Sequence, residues 1–223
     1  MATLKLFVTG TDTEIGKTHV ACALLRSASA RGLRCAGFKP IAAGAAENQQ
    51  GQLRNEDALA LMAASNVELP YERVNPVCFK PAIAPHIAAK MEDISVDVDN
   101  ILTCEKQISS QCDLVVIEGA GGWRVPINEQ MDFADLVALA GWPVVLVCGM
   151  RLGCINHSLL SAESIARRAN LLGWVANVLP PRQTALEDNL LALQRRMPAP
   201  CLGRLDENQD REDAIMGEIL SLI

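Results

Sequence analysis

The stretch Leu4-Lys5-Leu6-Phe7-Val8-Thr9-Gly10-Thr11-Asp12-Thr13-Glu14-Ile15-Gly16-Lys17-Thr18 decides how the rest of the chain is read. Its first six residues are short, apolar and rich in β-formers, which predicts a strand. From residue 17 to residue 31, Val20, Ala21, Leu24, Leu25 and Ala28 recur at helical spacing, and Gly32 marks the C-terminal stop. Between strand and helix lies a glycine-bounded loop ending in Gly-Lys-Thr. Such a loop folds back so that successive N–H groups point inward, and the positive end of the following helix adds to their field. In that setting Lys17 is placed to reach terminal phosphates and the Thr18 hydroxyl to ligate Mg²⁺. Five positions separate the two glycines, one more than in the standard phosphate loop.

Moving outward, β-type runs keep alternating with helix-length patterns. Cys35 to Phe38 is a second strand ending at Lys39-Pro40, residues 47 to 54 are a polar loop, and Asn55 is placed to cap a helix through Ala64. Residues 83 to 91 and 98 to 110 have helical patterns. Leu114-Val115-Val116-Ile117 is continuously apolar, as expected of a strand covered on both faces. Pro143 to Cys148 repeats that character and Gly173 to Val178 repeats it more weakly. Helices are expected over 156–171, 184–196 and 210–222. The alternation predicts an α/β fold: a doubly wound, mostly parallel sheet with helices on both faces, of the P-loop NTPase type. With no internal repeat, low-complexity tract or dividing linker, residues 1–223 are expected to form a single ATP-binding domain.

Composition narrows the classes of function. The chain has 223 residues, half of them hydrophobic, which is ample for a substantial core and too apolar for a disordered chain. Its net charge is −6, and no Lys/Arg stripe offers a footprint for a nucleic-acid backbone, so no nucleic-acid partner is expected. No segment approaches the roughly 20 apolar residues that cross a bilayer, and Leu4 to Thr9 lacks the features of a secretory signal. No membrane partner is expected, and a cytoplasmic location follows. The eight cysteines contain no CxxC pair. Cys154 and His157 have CxxH spacing but no second pair to complete a zinc site, so free thiols in a reducing compartment are the expectation.

A second acidic position belongs with the loop. Glu118 directly follows the 114–117 strand and precedes Gly119-Ala120-Gly121-Gly122, at the sheet edge where ligands of such folds bind. A carboxylate there can hold Mg²⁺ directly or through water, and the glycines allow close backbone approach to a ligand.

Taken together, GTDTEIGKT (10–18), GFKP (37–40), RNEDALAL (54–61), VVIEGAGGW (115–123), LGCINH (152–157) and GWVAN (173–177) resemble, in order and spacing, the dethiobiotin synthetase family. The resemblance runs from about residue 4 to about residue 203, and the five-residue gap in the phosphate loop is that family's usual form. It implies an ATP-dependent ureido-ring closure converting 7,8-diaminopelargonic acid and CO₂ to dethiobiotin, through a carbamate and a carbamic-phosphoric anhydride. It implies Lys17 and Lys39 as catalytic lysines and Thr18, Asp57 and Glu118 as metal-binding positions. Thr13, Glu14, Ile15, Gly16, Gly119, Ala120, Gly121, Asn177, Gly203, Arg204 and Leu205 join Lys17, Thr18, Asp57 and Glu118 at the nucleotide. Thr13, Lys39, Ala43, Gly122, Gly153, Cys154 and Asn156 fall at the diamine. It further implies a homodimer in which the 153–157 segment receives the carboxylate tail of substrate bound mainly to the other subunit. The N-terminus of a helix starting near Asn156 is a physically reasonable anion site, and Asn156 would also serve as its N-cap.

Without the resemblance, Lys39 and Asp57 would be read as an ordinary solvated lysine and a charge in a first helical turn. Two positions depart from the family pattern. Ala43 stands where a serine is common, losing a hydroxyl contact worth about 0.5–1.5 kcal/mol. Asp206 follows Leu202-Gly203-Arg204-Leu205 where a proline is usual, which alters the stretch that meets the base. Two other classes of function lack residues that they require. An amidotransferase-type ligase needs a glutaminase region with its own cysteine and histidine, for which this chain has no spare domain. A partitioning-type nucleotide switch carries an additional lysine near the start of the loop, where this chain has Gly10 and Thr11.

Overall fold

The structure, a computed structural model, describes residues 3–206 and 212–222. At its centre β1 (Leu4–Gly10) runs parallel between β7 (Leu114–Glu118) and β8 (Val144–Met150). Outward from these lie β2 (Cys35–Phe38) on one side, and β9 (Leu171–Val178) and β10 (Cys201–Leu205) on the other. The six-stranded sheet has the order β10-β9-β8-β1-β7-β2, and every described ladder in it is parallel.

The continuous apolar character of these strands has a direct cause, because alternate residues enter two separate cores. Leu6, Val8, Leu114, Val116, Val145 and Val147 face one side, where α1 (Lys17–Ala30), Leu61 of α2 (Glu56–Ala64) and Ile215, Met216 and Ile219 of α9 (Glu212–Ser221) cover them. Phe7, Val115, Ile117, Val144, Leu146 and Cys148 face the other. That side is packed by α4 (Pro85–Met91), α5 (Val98–Ser109), α6 (Phe133–Ala140), α7 (Cys154–Ala166) and α8 (Leu186–Gln194). Phe7 anchors this second core. Its ring stacks on Trp142 at 5.9 Å between centroids and meets Phe133 and Trp123 at 6.1 and 6.4 Å. The expected doubly wound α/β architecture is therefore present.

Several elements differ from the expectations. α6 was not anticipated. It is short, and it is specified by a capping box in which the Asp132 and Asp135 side chains each accept from the other's backbone N–H at 3.0 Å. The sequence marks residues 203–205 only as a ligand-contacting stretch, because the glycine at 203 masks the strand; as part of β10 they pair with β9 across a register shift. The expected helix over 156–171 starts earlier, at Cys154, with Gly153 as its N-cap at φ 95°, so Asn156 lies in the first turn and is not the cap. It also ends earlier, at Ala166, since Val144 N–H donates to Asn170 O and β9 begins at Leu171. β9 is no weaker than its neighbours, with every residue after Leu171 buried.

The polar 47–54 segment contains a small antiparallel pair, β4 (Ala46–Glu47) with β5 (Leu53–Arg54), closed by the Asn48 side chain accepting from Gln50 and Gln52 N–H. Residues 66 to 82 add α3 (Tyr71–Val74) and β6 (Val77–Phe79), the latter paired with β3 (Ile41–Ala43). Of the expected 210–222 helix, residues 210 and 211 lie outside the described residues.

None of the eight cysteines, all of them among the described residues, is joined in a disulfide. Burial pushes the Cys148 thiol up to about 12 and the Cys112 thiol up to about 11, as befits packing residues. Among the described residues no three His, Cys, Asp or Glu side chains cluster to hold a metal, and Cys154 Sγ accepts from Gln183 Nε2 at 3.9 Å. No described helix is long and apolar enough to cross a membrane. Leu146, fully buried on a central strand, tests the load carried by the Phe7 side of the sheet. Leu146→Ala should lower unfolding free energy by about 2–5 kcal/mol in urea titrations, with an unchanged m-value.

Candidate active site

The loop between β1 and α1 depends on two left-handed residues. Gly16 caps α1 at φ 83°, and Glu14 adopts φ 55° without being glycine. A Cβ at Gly16 would sit 2.1 Å from Asn177 Nδ2, so only glycine leaves room for the neighbouring strand's side chain. Asn177 is buried on β9 and donates from Nδ2 to Ile15 O at 2.8 Å. The residue expected to read a base is thus tied to the phosphate loop itself.

The glycine stretch after β7 closes against the same loop. Gly119 N–H donates to Val8 O at 3.1 Å. Gly121, at φ 64°, has its Cβ direction 3.7 Å from Thr13 Oγ1, and that of Gly122 is 3.5 Å from Gly10 O. Residues 10–18 and 119–122 therefore form two facing walls at the C-terminal ends of the central strands, where doubly wound folds bind ligands.

Between these walls lies a cluster of four charged groups. Lys17 Nζ donates to Asp12 O at 3.1 Å. Lys39, at the end of β2, is only 2% exposed; its Nζ donates to Glu118 Oε1 at 2.8 Å, Asp57 Oδ2 at 2.9 Å and Gly119 O at 3.2 Å. Thr18 Oγ1 lies 2.8 Å from Asp57 Oδ1 and 2.9 Å from Glu118 Oε1. Its single proton serves one carboxylate at a time.

Desolvation would depress the Lys39 ammonium, but the Glu118 and Asp57 carboxylates outweigh it and hold its pKa above the ordinary lysine value. Its three donated hydrogen bonds, two of them to carboxylates, are those of an ammonium. Lys17 moves the other way, lowered by burial and by the nearby Lys39 charge. At Asp57, burial raises the pKa, yet the Lys39 charge and its hydrogen bond, with Thr18, bring it below the usual carboxylate range.

The donor set suits a hard divalent cation. Glu118 is fully buried, and its Oε2 has no hydrogen-bond partner, an orphaned acceptor beside a hydroxyl and a second carboxylate. Thr18, Asp57 and Glu118 thus fit Mg²⁺ by chemistry and by convergence.

The remaining expected residues spread further. Ala43 ends β3, and Gly203, Arg204 and Leu205 lie on β10. Leu205 pairs in register with Asn177 and packs on the α1 side, whereas Arg204 turns to the opposite face and pairs with Glu187 of α8 at 2.9 Å and Asp206 at 3.2 Å. Gly153, Cys154 and Asn156 open α7; Cys154 is buried in the Phe7-side core and Asn156 is exposed. A contact absent from the sequence reading links this segment to the loop: Arg151, just after β8, forms an ion pair with Asp12. Arg151 carried no motif signal, and only the return of β8 beside β1 brings it there.

A parallel sheet wound on both faces, a glycine-lysine-threonine loop at its central strand and two carboxylates facing that loop define a P-loop nucleotide-binding protein. In agreement, residues 4–214 match the family model described as an AAA domain. Solved structures of the MinD cell division protein of Aquifex aeolicus (TM-score 0.58, 12% identity, 99% of this chain and 97% of that one) and a ParA family ATPase of Chlorobium tepidum (TM-score 0.55, 10% identity, 99% and 93%) share the fold. At such identities the likeness concerns the fold alone. Much nearer in sequence are the ATP-dependent dethiobiotin synthetases of Pseudomonas paraeruginosa, 48% identical over 97% of this chain and 95% of the relative, and of Cellvibrio japonicus, 52% identical over 91% and 89%. The chain belongs to the ATP-dependent dethiobiotin synthetase family of ligases.

The depressed Asp57 pKa sets the sign of a pH effect. A carboxylate lowered on folding contributes stability above its unfolded pKa near 3.8 and loses it as pH falls through the lower folded value. Asp57→Asn should therefore reduce Tm at pH 6–7, with the gap from wild type closing below about pH 4 in thermal melts across the acid range. A gap that persists unchanged at pH 2 would mean the carboxylate's charge is not what stabilises the site.

Proposed function

We propose that the chain closes the ureido ring of dethiobiotin from 7,8-diaminopelargonic acid, CO₂ (or bicarbonate) and ATP, as one ATP-binding domain spanning residues 1–223. The observation that carries this reading is the buried Lys39 ammonium. It is held at the same two carboxylates as Thr18, facing a phosphate loop, where an oxygen of a bound substrate and a γ-phosphate can share it.

The diamine takes up CO₂ as a carbamate and releases a proton. A carbamate oxygen attacks the γ-phosphorus, ADP leaves, and a carbamic-phosphoric anhydride results. The second amine then attacks the carbonyl carbon, the C–O bond to phosphate breaks, and the ring closes with loss of a proton. Negative charge concentrates at each step, so fixed cations and N–H groups do most of the work. Lys17 and the amides of residues 13–18 hold the terminal phosphates, with Glu14, Ile15 and Gly16 shaping that cradle. Lys39, protonated throughout, stabilises charge between carbamate and γ-phosphate. Gly119, Ala120, Gly121 and Gly122 supply close backbone, Thr13 and Ala43 border the diamine, and Asn177 with the backbone of Gly203, Arg204 and Leu205 meets the base.

Two lysines against two carboxylates leave the site near neutrality before a triphosphate enters. Mg²⁺ held by Thr18, Asp57 and Glu118 would supply the positive charge that the nucleotide then requires. Gly153, Cys154 and Asn156 receive the substrate's carboxylate through the N-terminal end of α7, supplied by the partner in a homodimer. The exposed Leu152 and Leu160 beside that segment support an interface there. The reading places the enzyme in the cytoplasm, with no nucleic-acid or membrane partner.

Incubating the protein with the diamine, bicarbonate and Mg²⁺-ATP should yield phosphate and the ureido product together. ATP hydrolysis indifferent to the diamine, with no product, would overturn the assignment in favour of a nucleotide switch. Lys39→Ala should lower turnover by more than about tenfold while ATP affinity stays nearly constant. Full turnover in that variant would remove Lys39 from the chemistry.

A further inference from the structure

The Lys39–Asp57 contact joins two elements that are far from rigid neighbours in sequence, the end of β2 and the first turn of α2. Their backbones are also joined, by a second route that passes through α3 and its C-cap residue Asn75. Lys39 N–H donates to Val74 O at 2.8 Å, and Lys39 O accepts from Asn75 Nδ2 at 2.7 Å. The other Nδ2 hydrogen of Asn75 goes to Val77 O at 3.0 Å, and Oδ1 accepts from the Tyr71 hydroxyl at 2.8 Å. Asn75 is 3% exposed and uses both amide donors and its acceptor. The Tyr71 oxygen in turn accepts from Asn55 N–H at 2.7 Å. Asn55 is the N-cap of α2, its Oδ1 accepting from Ala58 N–H at 3.2 Å, and Asp57 follows two residues later. The Arg54 guanidinium covers the Tyr71 ring at 4.1 Å from its centroid and pairs with Glu72, closing the network toward solvent.

We propose that Tyr71 and Asn75 are positioning residues for the reaction, setting the Lys39 ammonium and the Asp57 carboxylate in register through this closed ring of buried hydrogen bonds. The inference rests on the role given to Lys39 above. Buried polar groups are costly to leave unmatched, so a ring in which each donor and acceptor is used has one low-energy arrangement. The arrangement matters because Nζ must stay within hydrogen-bond reach of two carboxylates while substrates change around it. Neither Tyr71 nor Asn75 borders the phosphate loop, and each acts only through the residues it holds.

The test is Tyr71→Phe, which removes one oxygen while keeping the ring and its Arg54 contact. It leaves Asn55 N–H and Asn75 Oδ1 without partners. Assayed well below its melting temperature, the variant should lose about ten- to a hundredfold in kcat, the usual range for groups that orient a site, with KM for ATP within about twofold of wild type. A role in stability alone would lower Tm and leave kcat unchanged. Asn75→Asp is the second variant, setting a carboxylate oxygen against the Lys39 and Val77 carbonyls, and the same split is expected.

Each change is repeated with Lys39→Ala. If Tyr71 acts through Lys39, Tyr71→Phe costs little further there. Turnover within twofold of wild type in Tyr71→Phe, alongside an impaired Lys39→Ala, would overturn the positioning role and leave the proposed function standing. A full additive loss in the Lys39→Ala background would overturn it as well. Full turnover in Lys39→Ala would instead defeat the role of Lys39, and the positioning role with it.

Discussion

A lysine ammonium withdrawn from water on a protein's interior edge is tenable only where carboxylates answer it. Lys39 meets that condition through Glu118 and Asp57, and the rest of the site is organised by the need to deliver those three groups to one point. Glu118 comes from the last residue of a fully buried strand, Lys39 from the end of the strand beside it, and Asp57 from the helix that packs against that second strand and against α1. Removing one partner would strand the others as unmatched charges, so the cluster behaves as a unit. Thr18 joins the same carboxylates from the phosphate loop, which couples the charge cluster to the place where a nucleotide's phosphates belong.

The sheet makes this delivery possible. Its strands are apolar on both faces and parallel, so their C-terminal ends emerge at one edge, with one core beneath α1 and another around Phe7. Neither core contributes chemistry, but together they fix strand spacing, and strand spacing sets the separation of Lys39, Glu118 and the loop. Asn177 extends the arrangement across the sheet by bonding to Ile15 O, so the strand expected at the base and the loop expected at the phosphates cannot shift independently. Arg151 and Asp12 form a further tie on the solvent side, weaker because both are exposed.

Much of the site was legible in the chain. The loop at 10–18 announces itself because strand, glycines, lysine and helix must be contiguous to bind phosphate, and contiguity is what a sequence records. Glu118 was legible for the same reason, standing at a strand end before a glycine run. Asp57 is reached only through resemblance, and Lys39 has a single local hint, its place just past a strand end, since little else in the chain distinguishes a buried lysine from a solvated one. Tyr71, Asn75 and Arg151 were missed. Their significance arises from hydrogen bonds and an ion pair between segments distant in sequence, and no spacing rule encodes those. Among the elements, α6 was passed over for its brevity and β10 for its glycine, although the Asp132–Asp135 spacing around Phe133 was a signal that could have been used.

The amino-acid sequence by itself determined the class of fold, the phosphate loop and the set of residue types available for chemistry, because periodicity, glycine placement and motif contiguity act over a few residues. Only the tertiary structure decided that the Lys39 ammonium is held by Glu118 and Asp57, that Arg204 pairs with Glu187 of α8, and that Tyr71 and Asn75 join the two sides of the charge cluster. Burial and electrostatic pairing depend on which strands lie side by side, and that order, β10-β9-β8-β1-β7-β2, is a property of the whole folded chain and of no single stretch within it.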